Sequence, residues 1–142
     1  MASYATVADM RARFPEQRLI ELTDEAATGA IVEAAIVRKL EDADALIDGY
    51  VGRYYNRLDA ASPVPPALTA IACTIAYYNL WGDMMPPEKA KSDYESAIAR
   101  LRDIASGKFK LDQGEEKLPE RDGQILVQSS ERLFSRDSLR NA

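Results

Sequence analysis

The run from Ala67 to Trp81 restricts the fold most, because its residues are apolar almost all the way round a helix. Such a helix has to be covered on every side, and the run is shorter than the ~20 residues that a membrane span needs. Pro66 can begin the helix and Gly82 can end it. The sequence therefore predicts a central, buried helix with four residues at its heart: Leu68, Ile71, Ala72 and Ile75.

An amphipathic helix is predicted on each side of the buried one. The first covers roughly residues 31–56, where apolar side chains alternate in spacing between four and three: Ile36, Leu40, Ala43, Ile47, Tyr50 and Tyr54. Gly49 and Gly52 inside it indicate close approach of another backbone at that level. The other helix starts near Pro87 and is capped by Gly107, with a predicted buried stripe of Ala90, Tyr94, Ala97, Ile98, Leu101, Ile104 and Ala105.

Shorter elements precede and follow these helices. Thr6 can cap a helix that runs through Phe14, and Asp9 at its third position completes an acidic capping box. A second short apolar element follows, around Leu19, Ile20 and Leu22. The alternation from Lys108 to Leu111 is typical of a brief strand. The fold class is therefore an all-α bundle of residues 1–111, built on a long amphipathic helix and a buried one.

The last residues, 112–142, form a predicted extended tail. Twelve of them are charged, and Gly114, Pro119 and Gly123 interrupt any helix or strand. Spaced apolar side chains within this polar run are too few to bury a core but suit docking on a partner, as strand, helix or loop. The predicted binding residues are Ile125, Leu126, Val127, Leu133, Phe134, Arg136, Asp137 and Leu139.

Composition argues against several functions. The formal net charge is −5 without a concentrated basic patch, which disfavours tight binding to duplex DNA or anionic lipid. The chain has no histidine, so serine triads and histidine-bearing zinc sites are excluded. Cys73 is the sole cysteine and lies in the apolar run, where a buried, inert thiol is expected. The N-terminus lacks the order of a signal peptide, which indicates a protein made in the cytoplasm.

One group of carboxylates suggests chemistry. Glu41, Asp44 and Asp48 share a helical face and could bind magnesium, as in an all-helical phosphohydrolase. Such sites normally take carboxylates from two helices, and no later helix supplies a matching pair. We therefore favour a surface ion-pair strip, solvated or between subunits, that also includes three arginines: Arg38, Arg53 and Arg57.

Adjacent tyrosines provide further candidates for contacts between subunits. Tyr54 with Tyr55, and Tyr77 with Tyr78, cannot both face the same side of a helix. One member of each pair should reach the rim or a neighbouring subunit, and we assign this role to Tyr55 and Tyr78.

The segment from Asp24 to Ala35 has the outline of a calcium loop. Its third, fifth and twelfth positions are Ala26, Thr28 and Ala35, which leaves one strong oxygen ligand and a hydroxyl. The segment is therefore interpreted as a turn that sets the direction of the long helix, with no metal or other cofactor assigned to the chain.

Several short motifs mark the ends and turns of the predicted elements: Ser3-Tyr4-Ala5-Thr6, Leu22-Thr23-Asp24 with Gly29, Ile47-Asp48-Gly49-Tyr50 followed by Arg53-Tyr54, Pro65-Pro66, Ile71-Ala72-Cys73, Gly82-Asp83 and Gly107-Lys108. In this order and spacing they resemble the gp36-like family of Mu-like phage proteins over residues 3–111. Phe134 to Leu139 looks like the ending that many members carry. The sequence departs from the family at positions 24–35, where members often have a more acidic loop.

The resemblance implies a head-to-tail connector, the small helical adaptor of tailed phages. Such a protein is a non-enzymatic part of the virion neck and forms a ring, twelve-fold in the family picture, beneath the portal protein. Its tail would reach into the portal, a stopper or tail-completion protein would lie below, and DNA would pass through without specific binding. The alternatives are the magnesium-dependent enzyme and a transient phage assembly factor that is absent from finished particles.

Overall fold

A computed structural model of the chain describes residues 3–57 and 63–111. These residues form five helices, α1 (Val7–Arg13), α2 (Glu16–Thr23), α3 (Glu33–Val51), α4 (Pro66–Leu80) and α5 (Glu88–Ala105). Within the described ranges there is no strand, so the predicted all-α bundle is confirmed and the predicted strand at Lys108–Leu111 is wrong. None of the five helices is both long and apolar enough to cross a membrane.

Helix α4 lies at the centre of the bundle and packs against α1, α3 and α5. Its fully buried positions cover more than half of the helix circumference, and the side that carries Ala70, Thr74 and Tyr77 is partly buried. The fully buried residues are Leu68, Ile71, Ala72, Cys73, Ile75, Ala76 and Leu80. At ~25 cal/mol per Å² of apolar surface, such burial is the main stabilising contribution that an all-helical body has. The prediction of a central, buried helix is confirmed.

Local signals at the helix ends also behave as predicted. Pro66 is the first residue of α4, and Pro87 is the N-cap of α5. Gly107 adopts a left-handed φ of 79°, and the next amide, of Lys108, donates to the carbonyl of Asp103 at 2.9 Å. That bond satisfies a carbonyl of the last helical turn, which makes Gly107 the C-terminal cap.

Helix α3 is shorter than the predicted 31–56. It ends at Val51, and one hydrogen-bonded turn follows, in which the carbonyl of Val51 accepts the amides of both Tyr54 and Tyr55. The close backbone predicted beside the glycines is absent at Gly49, where a Cβ would meet no atom of the described residues within 4 Å. At Gly52 the nearby backbone belongs to α3 itself, because a Cβ would lie 2.7 Å from the carbonyl oxygen of Asp48.

The first two helices cover α4 and α3 from outside. Thr6 and Asp9 form the predicted capping box at the start of α1. Phe14, just after α1, stacks on Tyr77 near the end of α4 with ring centroids 4.0 Å apart. Because Tyr4 reaches Thr69 near the start of α4, α1 runs parallel to α4. The N-terminal segment, residues 3–6, is thereby placed between α4 and α3.

Candidate functional site

Four side chains from distant parts of the sequence form what we call the Tyr4 cluster: Tyr4, Asp44, Asp48 and Arg57. The backbone amide of Tyr4 donates to Asp44 Oδ1 at 3.0 Å, and its hydroxyl donates to Asp48 Oδ1 at 2.6 Å. The carbonyl of Tyr4 accepts a 2.8 Å bond from the hydroxyl of Thr69 on α4. The N-terminal segment is therefore bonded to both α3 and α4.

Arg57 closes this cluster from the other side. Its Nε and Nη2 donate to Asp48 Oδ2 at 3.2 and 2.9 Å, and its Nη1 reaches Asp44 Oδ2 at 3.5 Å. The guanidinium also lies 5.8 Å from the centre of the Tyr4 ring. Two nitrogens share one oxygen of Asp48 while the third reaches Asp44, so contacts with two carboxylates hold the planar guanidinium in place.

Burial decides the electrostatics of the cluster. Only 2% of Asp44 is exposed, and this burial raises the pKa of its carboxyl above the ordinary value, against the bonds from Tyr4 and the charge of Arg57. Burial together with the neighbouring Asp48 carboxylate raises the pKa of the Tyr4 hydroxyl. Tyr4 therefore keeps its proton at neutral pH and acts as a hydrogen-bond donor.

The structure corrects part of the predicted ion-pair strip. Asp44 is predicted in the surface strip and Tyr55 at the rim or a neighbouring subunit, but they are 2% and 4% exposed and belong to the core of their own chain. Arg57 is directed inward by the two carboxylates rather than toward solvent. Arg38, Glu41 and Arg53 are exposed, so their proposed contact with another subunit stays a prediction.

The aromatic pairs also differ from their predicted arrangement. Tyr54 is the exposed member of its pair, at 48%, and its hydroxyl donates to the carbonyl of Ala105 at the end of α5. Tyr78 is half-buried and stacks on Tyr94 of α5 with centroids 4.2 Å apart. Both contacts hold α5 in place within the chain.

The same-face carboxylates do not form a metal cage. Asp44 and Asp48 already accept bonds from Tyr4 and Arg57, while Glu41 is exposed beside them. Within residues 3–57 and 63–111, no three side chains of the types that bind metals are arranged to hold an ion. Asp44 and Asp48 therefore anchor the N-terminal segment through Tyr4.

The segment from Asp24 to Ala35, which has the outline of a calcium loop, begins with a hydrogen-bonded turn. Asp24 accepts the amides of Thr28 and Gly29 at 2.9 and 2.6 Å, and these bonds lower the pKa of its carboxyl. Gly29 has a left-handed φ of 76°. The amide of Val32 then donates to Thr23, which fixes the entry into α3. The interpretation as a turn that sets the direction of α3 is confirmed.

A groove runs alongside the Tyr4 cluster, between the start of the chain and one flank of α3. It has a volume of about 790 Å³. Apolar side chains of Val7, Val37 and Leu40 contribute to its lining, as do the three carboxylates that share the face of α3. We call this feature the α3 groove. It combines an apolar surface with an acidic edge, which is a combination suited to a basic and apolar partner.

Several predicted sites lie elsewhere. Cys73 is fully buried, and this burial raises the pKa of its thiol to about 11, so it is the inert thiol that the sequence predicts. The predicted portal-binding residues lie outside the described residues: Ile125, Leu126, Val127, Leu133, Phe134, Arg136, Asp137 and Leu139.

Sequence reasoning missed the anchoring role of Tyr4 and the inward position of Asp44. Tyr4 bonds to groups 40, 44 and 65 residues away, and no local pattern reveals pairs at such separations. Asp44 did carry a signal, because it lies four residues after Leu40 and three before Ile47, which is the spacing of the buried stripe.

Comparison with known proteins assigns the chain to a phage family. The family described as "Bacteriophage Mu, Gp36" matches residues 4–129, which include all five helices and the first part of the tail. A relative from Haemophilus influenzae, "Mu-like prophage FluMu protein gp36", is 39% identical over 80 residues, which cover 56% of this chain. The match spans about half of that relative, 54% of its length. The chain therefore belongs to the bacteriophage Mu Gp36 family.

Proposed function

We propose that the protein is a structural, non-enzymatic component of the phage virion, a head-to-tail connector that forms a ring beneath the portal. The observation that carries this proposal is the family match, which extends past the helical body and into the tail at residue 129. Body and tail segment are thus shared features of one phage family. A family match that includes part of the tail is expected if the tail contributes to the function of the protein.

The two ends of the helical body support a position between two neighbours. Met84 and Met85 precede α5, and 91% of Met85 is exposed. The tail begins after Leu111, beyond the other end of α5. Helix α5 between these features has 18 residues and is therefore about 27 Å long at ~1.5 Å per residue. In our proposal the end of the body that carries the tail faces the portal, and the loop with Met84 and Met85 faces a stopper or tail-completion protein.

The tail provides the contact with the portal in this proposal. Its apolar side chains are separated by charged ones, as in segments that fold against a partner and bury only a few anchors. The net charge of −5 suits a ring that surrounds DNA, because the wall offers no net attraction to phosphates. DNA passes such a ring without being bound.

Reconstruction of phage particles tests the proposal most directly. We expect a ring of this chain between the portal and the next neck protein, with residues 112–142 against the portal. If the chain is absent from finished particles, the transient assembly factor is the better description. A position elsewhere in the particle would contradict the connector role as well.

Tail variants test the anchor. Replacing Leu133 and Phe134 with aspartate should leave the helical circular-dichroism signal unchanged and prevent heads from joining tails in a complementation assay. Replacing the neighbouring Ser129 and Ser130 with aspartate is the matched control, because it adds the same charge without removing apolar side chains. Normal phage yield from the first variant would contradict the anchor.

The magnesium-dependent alternative has its own test. Calorimetric titration with magnesium should give no binding heat at millimolar concentration, because Asp44 and Asp48 already bond to Tyr4 and Arg57. A saturable heat that disappears in the Glu41→Gln variant would revive the enzymatic alternative.

A further inference from the structure

We propose that the α3 groove receives Phe109 and Lys108 of a second copy of this chain, and that this contact links neighbouring subunits. The inference rests on the proposed ring and names the two surfaces that would form it. It also defines a partner by its chemistry, an aromatic side chain next to a lysine.

The α3 groove offers both halves of such a contact. Val37 contributes an apolar side chain that is 41% exposed, beside the half-buried Val7. Glu41 is exposed on the edge, and the side chain of Asp48 is 38% exposed. With Asp44, three carboxylates face one guanidinium, so the edge is net acidic. An aromatic ring with a positive charge beside it complements this surface.

The segment after α5 presents the complementary features. Phe109 is 51% exposed, and Lys108 beside it is exposed as well. The backbone here is held in place, because the amides of both residues donate to the carbonyl of Asp103 at 2.9 and 3.2 Å. A side chain presented by a fixed backbone loses less conformational entropy on binding than one on a free segment.

Within one chain the apolar part of the groove, at Val7 and Val37, lies away from the end of α5. The bond from Tyr54 to the carbonyl of Ala105 places the end of α5 beyond the last turn of α3. The groove extends along α3 from Asp48, three residues before that end at Val51, to Val37, which lies 14 residues before it, or about 21 Å along the axis at ~1.5 Å per residue. Different surfaces that bind each other form a heterologous contact, which repeats from copy to copy and can close into a ring.

Paired cysteines test this contact in the full-length chain. The double variant Val37→Cys with Phe109→Cys should form a ladder of disulfide-linked oligomers, both in concentrated purified protein and in phage particles. Cys73 can remain, because it is fully buried and the pKa of its thiol is raised. The control pairs Phe109→Cys with Met85→Cys, which is more exposed than either partner but lies outside the groove.

A charge exchange tests the acidic edge without adding cysteines to it. Glu41→Lys or Lys108→Glu alone should lower the fraction of oligomer in sedimentation by about fivefold, because each places like charges together. The double exchange should restore it. Both side chains are exposed, so the thermal melting of the variants should match that of the parent chain.

The outcomes separate this contact from the connector role. A ring in particles together with no ladder in either sample would overturn the contact and leave the connector role standing. A ladder formed through Val37→Cys with Phe134→Cys, in place of Phe109→Cys, would assign the groove to the tail and overturn the proposal. A ladder from the intended pair, with rescue by the charge exchange, supports it even if the chain is absent from particles.

Discussion

The N-terminal segment and helix α4 are fixed in the bundle by opposite kinds of interaction. Residues 3–6 are held by directed bonds from Tyr4 to Asp44, Asp48 and Thr69. Helix α4 is held by apolar side chains that bury more than half of its circumference. Apolar packing depends on volume, whereas a buried carboxylate depends on particular donors. The apolar core should therefore tolerate substitution by side chains of similar shape, whereas the attachment of residues 3–6 requires particular hydrogen-bond donors and acceptors.

The largest expected effect is in the apolar region. Ile75→Ala should lower the free energy of unfolding by about 2–5 kcal/mol, because Ile75 is fully buried and the surrounding helices cannot close the cavity completely. Urea denaturation measures the change. Val37→Ala is the control on an exposed helical position, and it should change stability by less than about 0.5 kcal/mol. Equal effects at both positions would contradict the central placement of α4.

Asp44→Ala should have the next largest effect. The variant leaves the amide of Tyr4 without its acceptor and Arg57 with one carboxylate fewer. We therefore expect the free energy of unfolding to fall by about 1–3 kcal/mol. Glu41→Ala, three residues earlier on the exposed edge, should change stability by less than about 0.5 kcal/mol. The same denaturation experiment distinguishes them. If Asp44→Ala is as mild as Glu41→Ala, the polar attachment does not contribute to stability.

Tyr4→Phe isolates one bond of that attachment. The variant keeps the ring and removes the hydroxyl that donates to Asp48 at 2.6 Å, so we expect a loss of about 0.5–1.5 kcal/mol. Tyr54→Phe serves as the control, because the hydroxyl of Tyr54 makes a longer, exposed bond of 3.3 Å to the carbonyl of Ala105. Its removal should lower the free energy of unfolding by less than Tyr4→Phe does. A larger loss from Tyr54→Phe would reverse the comparison.

The smallest effect is on the pH dependence of stability. Burial raises the pKa of Asp44 above its ordinary 3.8, so between that value and the raised one the folded chain binds more protons than the unfolded chain. Asp44 therefore contributes a loss of stability as the pH rises through this window. Asp44→Asn should remove that loss, and denaturation curves measured from about pH 3 upward would show it.

Asp24 provides the contrast for this measurement. The bonds from Thr28 and Gly29 lower the pKa of the Asp24 carboxyl below its ordinary 3.8. Asp24 therefore stabilises the folded chain above pH 3.8, and this contribution is lost as the pH falls through the lowered pKa. Asp24→Asn should therefore remove a contribution of the opposite sign. The same direction of change in both asparagine variants would contradict one of the two assignments.

What could be predicted from the sequence was the part set by local signals. The capping box at Thr6, the prolines at positions 66 and 87 and the cap at Gly107 each act within a few residues, and the structure confirms each of them. The all-round apolar run of α4 likewise determines its own burial. These elements need no information about distant residues.

The rest depended on pairs far apart in the chain. The nearby arginines favour a surface ion pair for Asp44, although its spacing matches the buried stripe. Its burial requires the amide of Tyr4 and the guanidinium of Arg57, which only the fold brings together. The α3 groove depends on the same placement, since the N-terminal segment forms one of its walls. A site made by a distant segment is therefore invisible to periodicity.

The bonds of Tyr4 also set an order of events during synthesis. Tyr4 leaves the ribosome before every one of its partners, and the last of them, Thr69, follows 65 residues later. At ~5–20 residues per second, that interval is about 3 to 13 seconds. During the first 40 residues of that interval the amide of Tyr4 lacks its acceptor Asp44, and until the end of it the carbonyl of Tyr4 lacks the hydroxyl of Thr69 on α4. The first segment of the bundle to be made therefore reaches its bonded position only after the start of α4 has been made.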